Sequence, residues 1–324
     1  MIRPGRRSVL SLSAMLVAGP ASAQQGSFES FLEGVRTEAR RGGVSAATLQ
    51  RALSGIRPND RVVELDRRQP ESTLTWEGYR DRIVNQVRID NGRRAYADNR
   101  ALLDSLQGRF RVPGRFMVAI WGMETNYGAN TGGFGVVEAL ATLAWEGRRA
   151  AFFRGELMAA LRVLEAGHVA PERMRGSWAG AMGHPQFMPS SFERLAVDAD
   201  GDGRKDIWDS RADALGSIAN YLARSGWRED ERWGREVRLP EGFDPASATR
   251  ENVRPLRDWA AQGLALPDGT ALPASDMTAA VVIPGLSTGS MQAFLVYANF
   301  NVIRRYNPSN FYALAVGLLS DRVA

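Results

Sequence analysis

One apolar segment constrains the fold of this chain more than any other part of the sequence. Six apolar residues follow one another from Phe116 to Trp121, and a single acidic residue, Glu124, comes shortly after them and before a polar, glycine-rich break. Pro113 is well placed as an early residue of the helix that this segment predicts. A helix without a polar face lies inside a hydrophobic core. The segment therefore predicts a buried helix that carries one carboxylate near its C-terminal end.

Glu124 occupies an unusual position for a carboxylate. Ionisation is unfavourable at the edge of an apolar helix, so we expect the pKa of Glu124 to be raised. A carboxyl group with a raised pKa can donate a proton at neutral pH, as a general acid must. A glutamate at a helix end can instead be solvated or bonded to nearby backbone groups. We therefore take Glu124 as the candidate catalytic residue, with such a structural role as the alternative.

The residue types that the chain lacks exclude several kinds of enzyme. The 324 residues include no cysteine, which excludes thiol nucleophiles, zinc–thiolate sites and disulfides. The two histidines are His168 and His184, and no G-x-S-x-G segment is present. A serine hydrolase and a histidine-based metal centre are therefore not expected. The length is sufficient for one large domain or for two to three modules.

The charge of the chain favours a polyanionic partner. The formal net charge is +5 and the pI is about 9.9, and Lys205 is the only lysine, so arginine supplies almost all the positive charge. Such an excess fits nucleic acid, an anionic membrane surface or a cell-wall polymer. Because the arginines are scattered along the sequence, we do not predict a nucleic-acid-binding protein.

The N-terminal residues are typical of an export signal. The pair Arg6-Arg7 precedes a short apolar stretch, residues 8–19, and Ala21-Ser22-Ala23 is typical of a cleavage site. The sequence therefore predicts a signal peptide over residues 1–23, for the Sec or the twin-arginine route, and a periplasmic mature protein. No other stretch is long and apolar enough to span a bilayer, and there is no cysteine to carry a lipid. We expect no membrane anchor in the mature chain.

Helical spacing of apolar residues extends over most of the chain, and strand-like runs are confined to its C-terminal third. Trp76 to Leu106 predicts one long helix or two, and the polar segment from Arg57 to Ser72 predicts an extended connection. The strand-like runs are residues 236–239, 279–284 and 293–297. We therefore predict a mainly α protein of the α+β class with a small β module. The predicted modules are an N-terminal α module (24–75), a helical core (76–228 and 301–324) and the β module (229–300).

The segment from Asp198 to Asp209 has the spacing of an EF-hand loop. Acidic residues stand at loop positions 1, 3, 5, 9 and 12, and Gly203 stands at position 6, where such a loop turns sharply. Oxygen ligands at these spacings suit a hard cation such as Ca²⁺ rather than zinc or copper. The predicted ligands are Asp198, Asp200, Asp202, the backbone carbonyl of Arg204 and Asp209, with Asp213 as an alternative closing ligand.

This loop departs from the EF-hand pattern at two positions. Asp209 stands at position 12 in place of glutamate, so its bidentate reach is shorter, and Lys205 fills position 8, which is normally apolar. The alternative is an acidic turn that binds no metal. Because only one such loop is present, a paired calcium sensor is not expected. We predict a structural calcium site.

Four segments together resemble motifs of the lytic murein transglycosylase B family. The first is residues 121–128, around the candidate acid, and the second is the glycine-rich segment of residues 176–191. The acidic loop follows where that family carries an EF-hand-like site. Arg305-Tyr306-Asn307 with Tyr312 resembles its C-terminal motif. The motifs come in the order of the family, and the resemblance covers roughly residues 28 to 320.

The resemblance implies a fold and a reaction. The fold is a lysozyme-like, mostly helical core flanked by an α module and a small antiparallel β module. The reaction cleaves the β-1,4 bond between N-acetylmuramic acid and N-acetylglucosamine in peptidoglycan without water, because the muramic acid C6 hydroxyl attacks C1 and gives a 1,6-anhydro product. Hydrolytic glycosidases usually use two carboxylates, whereas Glu124 alone would act first as acid and then as base. Glycan strands are the implied substrate, with cell-wall synthases as further partners.

The resemblance also assigns roles to seven polar or aromatic residues. Ser177 and Gln186 match positions that bind sugar or orient the catalytic acid, and Tyr312 matches a tyrosine near that acid. Tyrosine can stack on sugar faces and bond through its hydroxyl, although tyrosine at helical spacing is also common in hydrophobic cores. His184 is expected on the surface or at the rim of the groove. The remaining matches are groove residues: Tyr79, Tyr221, Tyr306 and Asn307.

Two other functions would use the same groove. A water-using muramidase on this fold would need a second carboxylate, for which Glu146 and Glu156 are candidates. A non-catalytic peptidoglycan-binding protein would have no need of Glu124, Ser177 and Gln186. The presence of these three residues favours the transglycosylase.

Overall fold

The computed structural model of the chain describes residues 26–68 and 74–324, and the predicted signal peptide of residues 1–23 lies outside this part. Helices make up most of the described residues. None of the described helices combines the length and the hydropathy that crossing a membrane requires. The α-helices are α1 (Phe28–Arg41), α2 (Ala46–Leu53), α3 (Asp60–Arg67), α4 (Trp76–Ile83), α5 (Gln86–Asp98), α6 (Arg100–Phe110), α7 (Gly114–Thr125), α8 (Val136–Glu146), α9 (Ala150–Glu165), α10 (Pro189–Leu195), α11 (Arg211–Arg224), α12 (Leu256–Ala261), α13 (Ala298–Tyr306) and α14 (Asn310–Val323).

The predicted secondary structure was wrong in two segments. In both segments, asparagine residues mark the places where helices begin or end. The segment from Arg57 to Ser72, predicted to be extended, contains α3, which begins where the Asn59 side chain accepts a hydrogen bond from the Val62 backbone N–H at 3.2 Å. A side-chain acceptor at this position satisfies one of the free N–H groups of the first turn. A short polar helix has little apolar periodicity, which is why the pattern alone missed it.

The segment from Trp76 to Leu106 forms three helices rather than one or two. Between α4 and α5, Asn85 leaves the helical conformation and its side chain accepts a hydrogen bond from the Arg88 backbone N–H at 2.9 Å. Between α5 and α6, the buried Asn99 donates from its amide to the Ala95 carbonyl at 2.7 Å. Asparagine competes with the helix for backbone hydrogen bonds, so it divides a segment whose apolar spacing is continuous.

The strands are few and short, and the larger sheet is antiparallel. A two-stranded pair, β1 (Phe134–Gly135) with β2 (Arg175–Gly176), joins the residues before α8 to the glycine-rich segment. The larger sheet has the order β3-β6-β5-β4. Its position within residues 229–300 agrees with the predicted mainly α fold with a small antiparallel β part. Its strands are β3 (Gly234–Val237), β4 (Arg254–Pro255), β5 (Thr278–Val282) and β6 (Ala293–Val296).

The larger sheet is apolar on both faces, and each face packs against a different partner. Phe294 and Val296 of β6 belong to the large core formed with the helices. Leu295 of the same strand packs on the other face with Trp259 of α12, which is fully buried. Alternation of period two along the strand explains this division. The sheet is therefore attached to the helical core through one face.

Helix α7 lies at the centre of the helical core, as its apolar sequence predicts. The side chains from Phe116 to Trp121 are no more than 4% exposed. The helix packs against α5, α6, α11 and the C-terminal helix α14. Neighbours on every side explain why this helix has no polar face. The predicted buried helix is confirmed, and it fixes the position of the residue at its end.

A second hydrophobic cluster joins the N-terminal helices to the middle of the chain. Leu32 of α1 and Leu49 of α2 pack with Leu140 of α8 and Leu157 of α9. The N-terminal helices thus share their core with residues that the sequence analysis assigned to the catalytic core. The module boundaries at residues 75, 228 and 300 stay a prediction.

Candidate active site and acidic loop

Glu124 stands one residue before the end of α7, where the chain turns abruptly. Asn126 and Tyr127 both have positive φ angles, 50° and 61°, which non-glycine residues rarely adopt. The turn is held by the Tyr127 hydroxyl, which donates to the Arg88 carbonyl of α5 at 2.9 Å. A Cβ atom on Gly122 would lie 2.5 Å from Cζ of Tyr127, so only glycine lets this ring lie against the helix. The turn ends the helix immediately after the carboxylate.

The surroundings of Glu124 make it a weaker acid than an exposed glutamate. The side chain is half-buried, and the Tyr312 hydroxyl of α14 donates to its Oε1 at 2.6 Å. Burial raises the pKa of Glu124 to about 7, and the hydrogen bond from Tyr312 opposes part of that rise. Burial also raises the pKa of Tyr312 well above its ordinary value, so its hydroxyl stays protonated as the donor. Both protonation states of Glu124 are accessible near neutral pH.

Glu146 and Glu156, the candidates for a second catalytic carboxylate, both bind to other residues. Glu146 forms an ion pair with Arg67. Glu156 is buried and accepts hydrogen bonds from the backbone N–H and the hydroxyl of Ser190, at 2.9 and 2.7 Å. Among the described residues, no other carboxylate contributes to the pKa of Glu124, which reflects burial and Tyr312 alone. The arrangement is that of a single carboxyl group rather than a pair.

A row of tyrosines leads away from Glu124. The rings of Tyr312 and Tyr306 are nearly parallel, with centroids 6.5 Å apart, and the Tyr221 ring lies 4.6 Å from that of Tyr306. The Tyr306 hydroxyl donates to the Pro185 carbonyl at 2.6 Å, and the Tyr221 hydroxyl donates to the Arg305 carbonyl. The structure thus brings together two predicted groove residues, from α11 and α13, and the tyrosine of α14 that was predicted near the acid.

A cavity of about 580 Å³ opens beside Tyr312. Tyr79 of α4 and Asn307 line it, and their predicted role in a substrate groove stays a prediction. The Tyr79 ring packs on Phe311 with the centroids 5.6 Å apart. Asn310 also lines the cavity, and its Oδ1 atom is buried without a hydrogen-bond partner among the described residues. Sequence reasoning missed Asn310, although it follows closely after the motif that contains Asn307.

Ser177 and Gln186 shape the glycine-rich segment and do not bond to Glu124 in the structure. The Ser177 hydroxyl accepts a hydrogen bond from the Ala181 backbone N–H at 3.0 Å. Gln186 has a φ of 50°, and its side-chain amide donates to the carbonyls of Thr131 and Gly183 at 3.1 and 2.9 Å. These contacts fix the backbone of the segment. The predicted role of the two residues in sugar binding stays a prediction.

His184, expected at the surface or at the groove rim, is held through both its side chain and its backbone. It is half-buried, and its Nδ1 accepts a hydrogen bond from Trp121 Nε1 of α7 at 2.9 Å. Its backbone N–H donates to the Ile207 carbonyl at 3.0 Å, and its carbonyl accepts from the Thr125 hydroxyl at 3.3 Å. His184 therefore joins the end of α7 to the residues that leave the acidic loop.

The acidic loop gathers three of the predicted metal ligands. Asp198, Asp200 and Asp202 each offer a carboxylate oxygen, and these atoms lie within 4.8 Å of one another. The Asp198 carboxylate also accepts hydrogen bonds from the backbone N–H groups of Gly201 and Gly203, at 2.6 and 2.8 Å. Several carboxylate oxygens in one short loop are the donor set that a hard divalent cation prefers.

Two other predicted ligands, Asp209 and Asp213, lie outside this cluster. Asp209 points to Arg173 and forms an ion pair with it. Asp213 is fully buried, and its carboxylate accepts hydrogen bonds from the backbone N–H groups of Ala199 and Asp206, both at 2.7 Å. It supports the loop from within instead of closing the cluster. The Arg204 guanidinium lies beside Asp202, 3.0 Å from its carboxylate, while the predicted ligand of this residue is its backbone carbonyl.

Comparison with known proteins places this geometry among enzymes of one kind. The family model described as "Transglycosylase SLT domain" matches residues 27–321. Over 297 residues the chain is 34% identical to the membrane-bound lytic murein transglycosylase B of Escherichia coli (strain K12), covering 87% of this chain and 79% of that protein.

Solved structures agree with the sequence comparison. SltB3 from Pseudomonas aeruginosa in complex with NAG-anhNAM-pentapeptide superimposes with a TM-score of 0.88 at 44% identity, over 92% of this chain and 79% of that chain. The Escherichia coli lytic transglycosylase Slt35 in complex with calcium superimposes with a TM-score of 0.76 at 31% identity, over 93% of each chain. The lysozyme-like fold that the resemblance implied is confirmed.

Proposed function

The chain belongs to the family of transglycosylase SLT domains and is a lytic transglycosylase that acts on peptidoglycan, and from this premise we propose that Glu124 performs both proton transfers of the reaction. The observation that carries the proposal is the position of this carboxyl group at the end of the buried helix α7, where the Tyr312 hydroxyl bonds to it and burial raises its pKa to about 7. A group that must donate and then accept a proton works best when its pKa lies near the working pH.

In the first step, Glu124 acts as the acid. The protonated carboxyl group donates its proton to the oxygen that links C1 of N-acetylmuramic acid to N-acetylglucosamine. The bond between C1 and this oxygen breaks, and the leaving sugar keeps the proton as a hydroxyl hydrogen. Positive charge develops at C1, and Glu124 is left as a carboxylate beside it, which stabilises that charge.

In the second step, Glu124 acts as the base. The carboxylate removes the proton from the C6 hydroxyl of the same muramic acid, and O6 forms a bond to C1. The product is the 1,6-anhydro sugar, Glu124 is protonated again, and no water is consumed. An internal nucleophile is present at a high effective concentration, which supports a mechanism that needs no second carboxylate.

Tyr312 orients Glu124 and leaves one of its oxygens available. The hydroxyl of Tyr312 binds Oε1, and among the described residues no other hydrogen bond to this carboxyl group is formed. Oε2 would therefore face the sugar. Tyr312 also stabilises the carboxylate formed after the first step, because its hydrogen bond favours the charged form.

The cavity beside Tyr312, whose hydroxyl binds Glu124, is the proposed sugar site. Tyr79, Asn307 and Tyr312 line it, and an aromatic ring with a polar end suits a sugar face. We place Ser177, Gln186, Tyr221 and Tyr306 along the same groove. Since SltB3 was solved with a disaccharide pentapeptide, we propose that the strands cleaved by this chain carry stem peptides.

The acidic loop is proposed to bind Ca²⁺ as a structural ion. Asp198, Asp200 and Asp202 would hold it together with the backbone carbonyl of Arg204, and a relative was solved in complex with calcium. An ion that binds only the folded chain raises the melting temperature with its concentration. The same melting temperature in chelator and in millimolar calcium would contradict this assignment.

We propose that the enzyme works in the periplasm, because the predicted export signal and the peptidoglycan substrate both favour that location. Peptidoglycan lies outside the cytoplasmic membrane, and the net charge of +5 suits an anionic wall polymer. Cell fractionation with an antibody against the mature chain tests the location. Cell-wall synthases stay predicted partners, to be tested by cross-linking in cells.

Mass spectrometry of the released muropeptides tests the reaction. The mature protein is incubated with purified peptidoglycan, and the products are examined before and after borohydride reduction. We expect products one water lighter than the hydrolytic species and resistant to reduction. Reducible products of full mass would show a water-using muramidase, and wall binding without release would show a binding protein.

A further inference from the structure

The cavity beside Tyr312 is lined by two side chains with buried polar atoms that form no hydrogen bond among the described residues. One atom is Oδ1 of Asn310, an acceptor, and the other is Nε of Arg304, a donor. The Tyr312 hydroxyl at the wall of the same cavity binds Glu124 at 2.6 Å. Nearly all buried polar groups in proteins have a partner, because an unpaired one costs free energy. A donor and an acceptor without partners beside the catalytic group match a ligand that offers both kinds of group.

The charge of Arg304 is held in place and forms no ion pair within the described part of the chain. Its Nη2 atom donates to the Pro308 carbonyl, which fixes the guanidinium at the cavity wall, whereas its Nη1 atom forms no hydrogen bond to any described residue. Glu251, an acidic residue whose charge acts on Arg304, forms its ion pair with Arg250 at 3.0 Å. Burial and the charge of Arg250 lower the pKa of Arg304, but an arginine remains protonated. Among the described residues that line the cavity, Arg304 alone carries a charge.

The position of Asn310 is also fixed. It is the first residue of α14, and the preceding Ser309 caps this helix by accepting a hydrogen bond from the Tyr312 backbone N–H at 3.4 Å. The Oδ1 atom of Asn307 accepts from the Ser309 backbone N–H at 3.1 Å, so this oxygen is already used within the turn. Of the two asparagines that line the cavity, Asn310 therefore offers the free oxygen. A preorganised acceptor loses little entropy when it binds a ligand.

An acetamido group has the matching pair of polar atoms. Its N–H donates a hydrogen bond and its carbonyl oxygen accepts one, so the N–H suits Asn310 and the oxygen suits Arg304. A sugar hydroxyl donates and accepts through a single oxygen, whereas the acetamido group divides the two functions between two atoms, as two separate side chains do. A sugar that has lost its acetyl group presents an ammonium group instead, which cannot accept from Arg304 and is repelled by its charge. Such repulsion is a means of rejecting the wrong ligand.

We propose that Arg304 and Asn310 bind the acetamido group of a sugar and make the enzyme select N-acetylated glycan strands over strands that have lost acetyl groups. The inference rests on the proposed function, which places an amino sugar of the glycan strand in this cavity. Arg304 and Asn310 are thus specificity residues, while Glu124 performs the proton transfers. Because the wrong sugar leaves the polar groups of the site unpaired, the loss of rate on such strands is large.

The test compares two soluble substrates that differ only in their acetyl groups. Glycan strands are divided, one portion is treated with a peptidoglycan deacetylase, and both are digested at about pH 6, where the amine that is formed is protonated. We expect the parental enzyme to cleave the acetylated strands with a kcat/KM about 100-fold higher. Arg304→Met keeps the length of the side chain and removes its charge. In this variant the ratio should fall to about tenfold or less, because the rate decreases on acetylated strands and increases on deacetylated ones.

Two further variants show whether the effect belongs to this pocket. Asn310→Leu keeps the size of the side chain but removes the acceptor, and it should also lower the ratio. Arg100→Met removes an exposed arginine that pairs with Asp104 on α6, and it should keep the parental ratio. Equal parental rates on the two substrates would overturn the acetamido pocket and leave the transglycosylase intact. A parental ratio in both Arg304→Met and Asn310→Leu, measured on folded protein, would overturn it as well.

A binding measurement keeps the inference independent of catalysis. Calorimetry compares the trimer of N-acetylglucosamine with the trimer of glucosamine at the same pH, on Glu124→Gln so that neither is cleaved. We expect the acetylated trimer to bind at least about tenfold more tightly, and Arg304→Met in the same background to remove this preference. Equal affinity of the two trimers for Glu124→Gln would overturn the acetamido pocket. Cleavage of neither strand by the parental enzyme, together with the expected preference in binding, would overturn the proposed function and support the pocket.

Discussion

The end of α7 and the acidic loop both present carboxylates, but their surroundings move the pKa values in opposite directions. Burial raises the pKa of Glu124 to about 7. In the loop, the backbone N–H of Arg204, and after it the Arg204 side chain, hold the pKa of Asp202 below its ordinary value. Glu124 is therefore suited to proton transfer, and Asp202 stays charged, as its proposed role in binding a cation requires. Access to water and to N–H donors therefore decides which chemistry a carboxylate performs.

The two regions are also connected. His184 contacts Trp121 of α7 through its side chain and Ile207, at the exit of the loop, through its backbone. The loop can thus support the turn that holds Glu124 without taking part in the reaction. Variants in each region can show whether the two regions have separate roles and how strongly they are coupled.

The largest effect is expected at the proton donor. Glu124→Gln keeps the size of the side chain but removes the exchangeable proton, so we expect kcat to fall by about 10³-fold. The folded chain should be at least as stable, because a neutral amide is easier to bury than a carboxyl group that ionises. Release of muropeptides measures the first quantity, and the melting temperature measures the second.

The control for this variant is a carboxyl group outside the site. Glu138→Gln changes a residue whose side chain contacts Asn59, and it should release muropeptides at the parental rate. Parental activity in Glu124→Gln would show that another group donates the proton. Wall binding should survive in both variants.

The second largest effect is expected inside the loop and concerns stability. Asp213→Ala removes the buried acceptor of three backbone N–H groups, those of Ala199, Asp200 and Asp206, and unpaired buried donors destabilise a fold by about 1–3 kcal/mol each. We therefore expect a lower free energy of unfolding in urea, with or without calcium. The matched variant Asp209→Ala removes an exposed ion pair with Arg173 and should have no measurable effect. Equal destabilisation by the two variants would mean that the loop is not supported from within.

The sequence predicted the parts of the fold that depend on local pattern. The uninterrupted apolar run of α7 and the strand-like runs near 236, 280 and 295 led to the observed elements, because burial on all sides or on alternate sides leaves a clear period. Helix α3 was missed because it buries few apolar residues. The segment from Trp76 to Leu106, predicted as one helix or two, is divided into three helices at Asn85 and Asn99. A capping residue alters structure locally without altering the apolar spacing around it.

From the sequence, residues of the site could be predicted only where they belong to a motif. The resemblance of the motifs implied that Tyr312 lies near Glu124, but the spacing of two positions 188 residues apart does not by itself predict their hydrogen bond. The same holds for His184 and Trp121, 63 residues apart, whose hydrogen bond no spacing rule predicts. Asp213 was predicted as an alternative metal ligand because of its charge, whereas in the structure it is buried and accepts backbone hydrogen bonds from the loop. Long-range packing decides these roles.

The next effect tests the connection between the two regions. His184→Ala removes the acceptor of Trp121 Nε1 and loosens the turn after Glu124, so we expect kcat to fall about tenfold, equivalent to roughly 1.4 kcal/mol, with little change in KM. His184→Gln offers an amide oxygen to the same N–H and should recover most of the rate. An equal loss in both variants would indicate that His184 acts through packing and not through this hydrogen bond.

The smallest effect concerns the pH dependence set by Tyr312. Its hydrogen bond lowers the pKa of Glu124 and so opposes the effect of burial. The first step needs protonated Glu124, so kcat/KM of the parental enzyme should fall as the pH rises through about 7. In Tyr312→Phe, the pKa of Glu124 rises further, and this alkaline limb moves to higher pH. Tyr96→Phe on α5 is the control, and its limb should match that of the parental enzyme. A limb that stays in place or moves to lower pH in Tyr312→Phe would contradict this assignment, because it would show that the hydrogen bond from Tyr312 does not lower the pKa of Glu124.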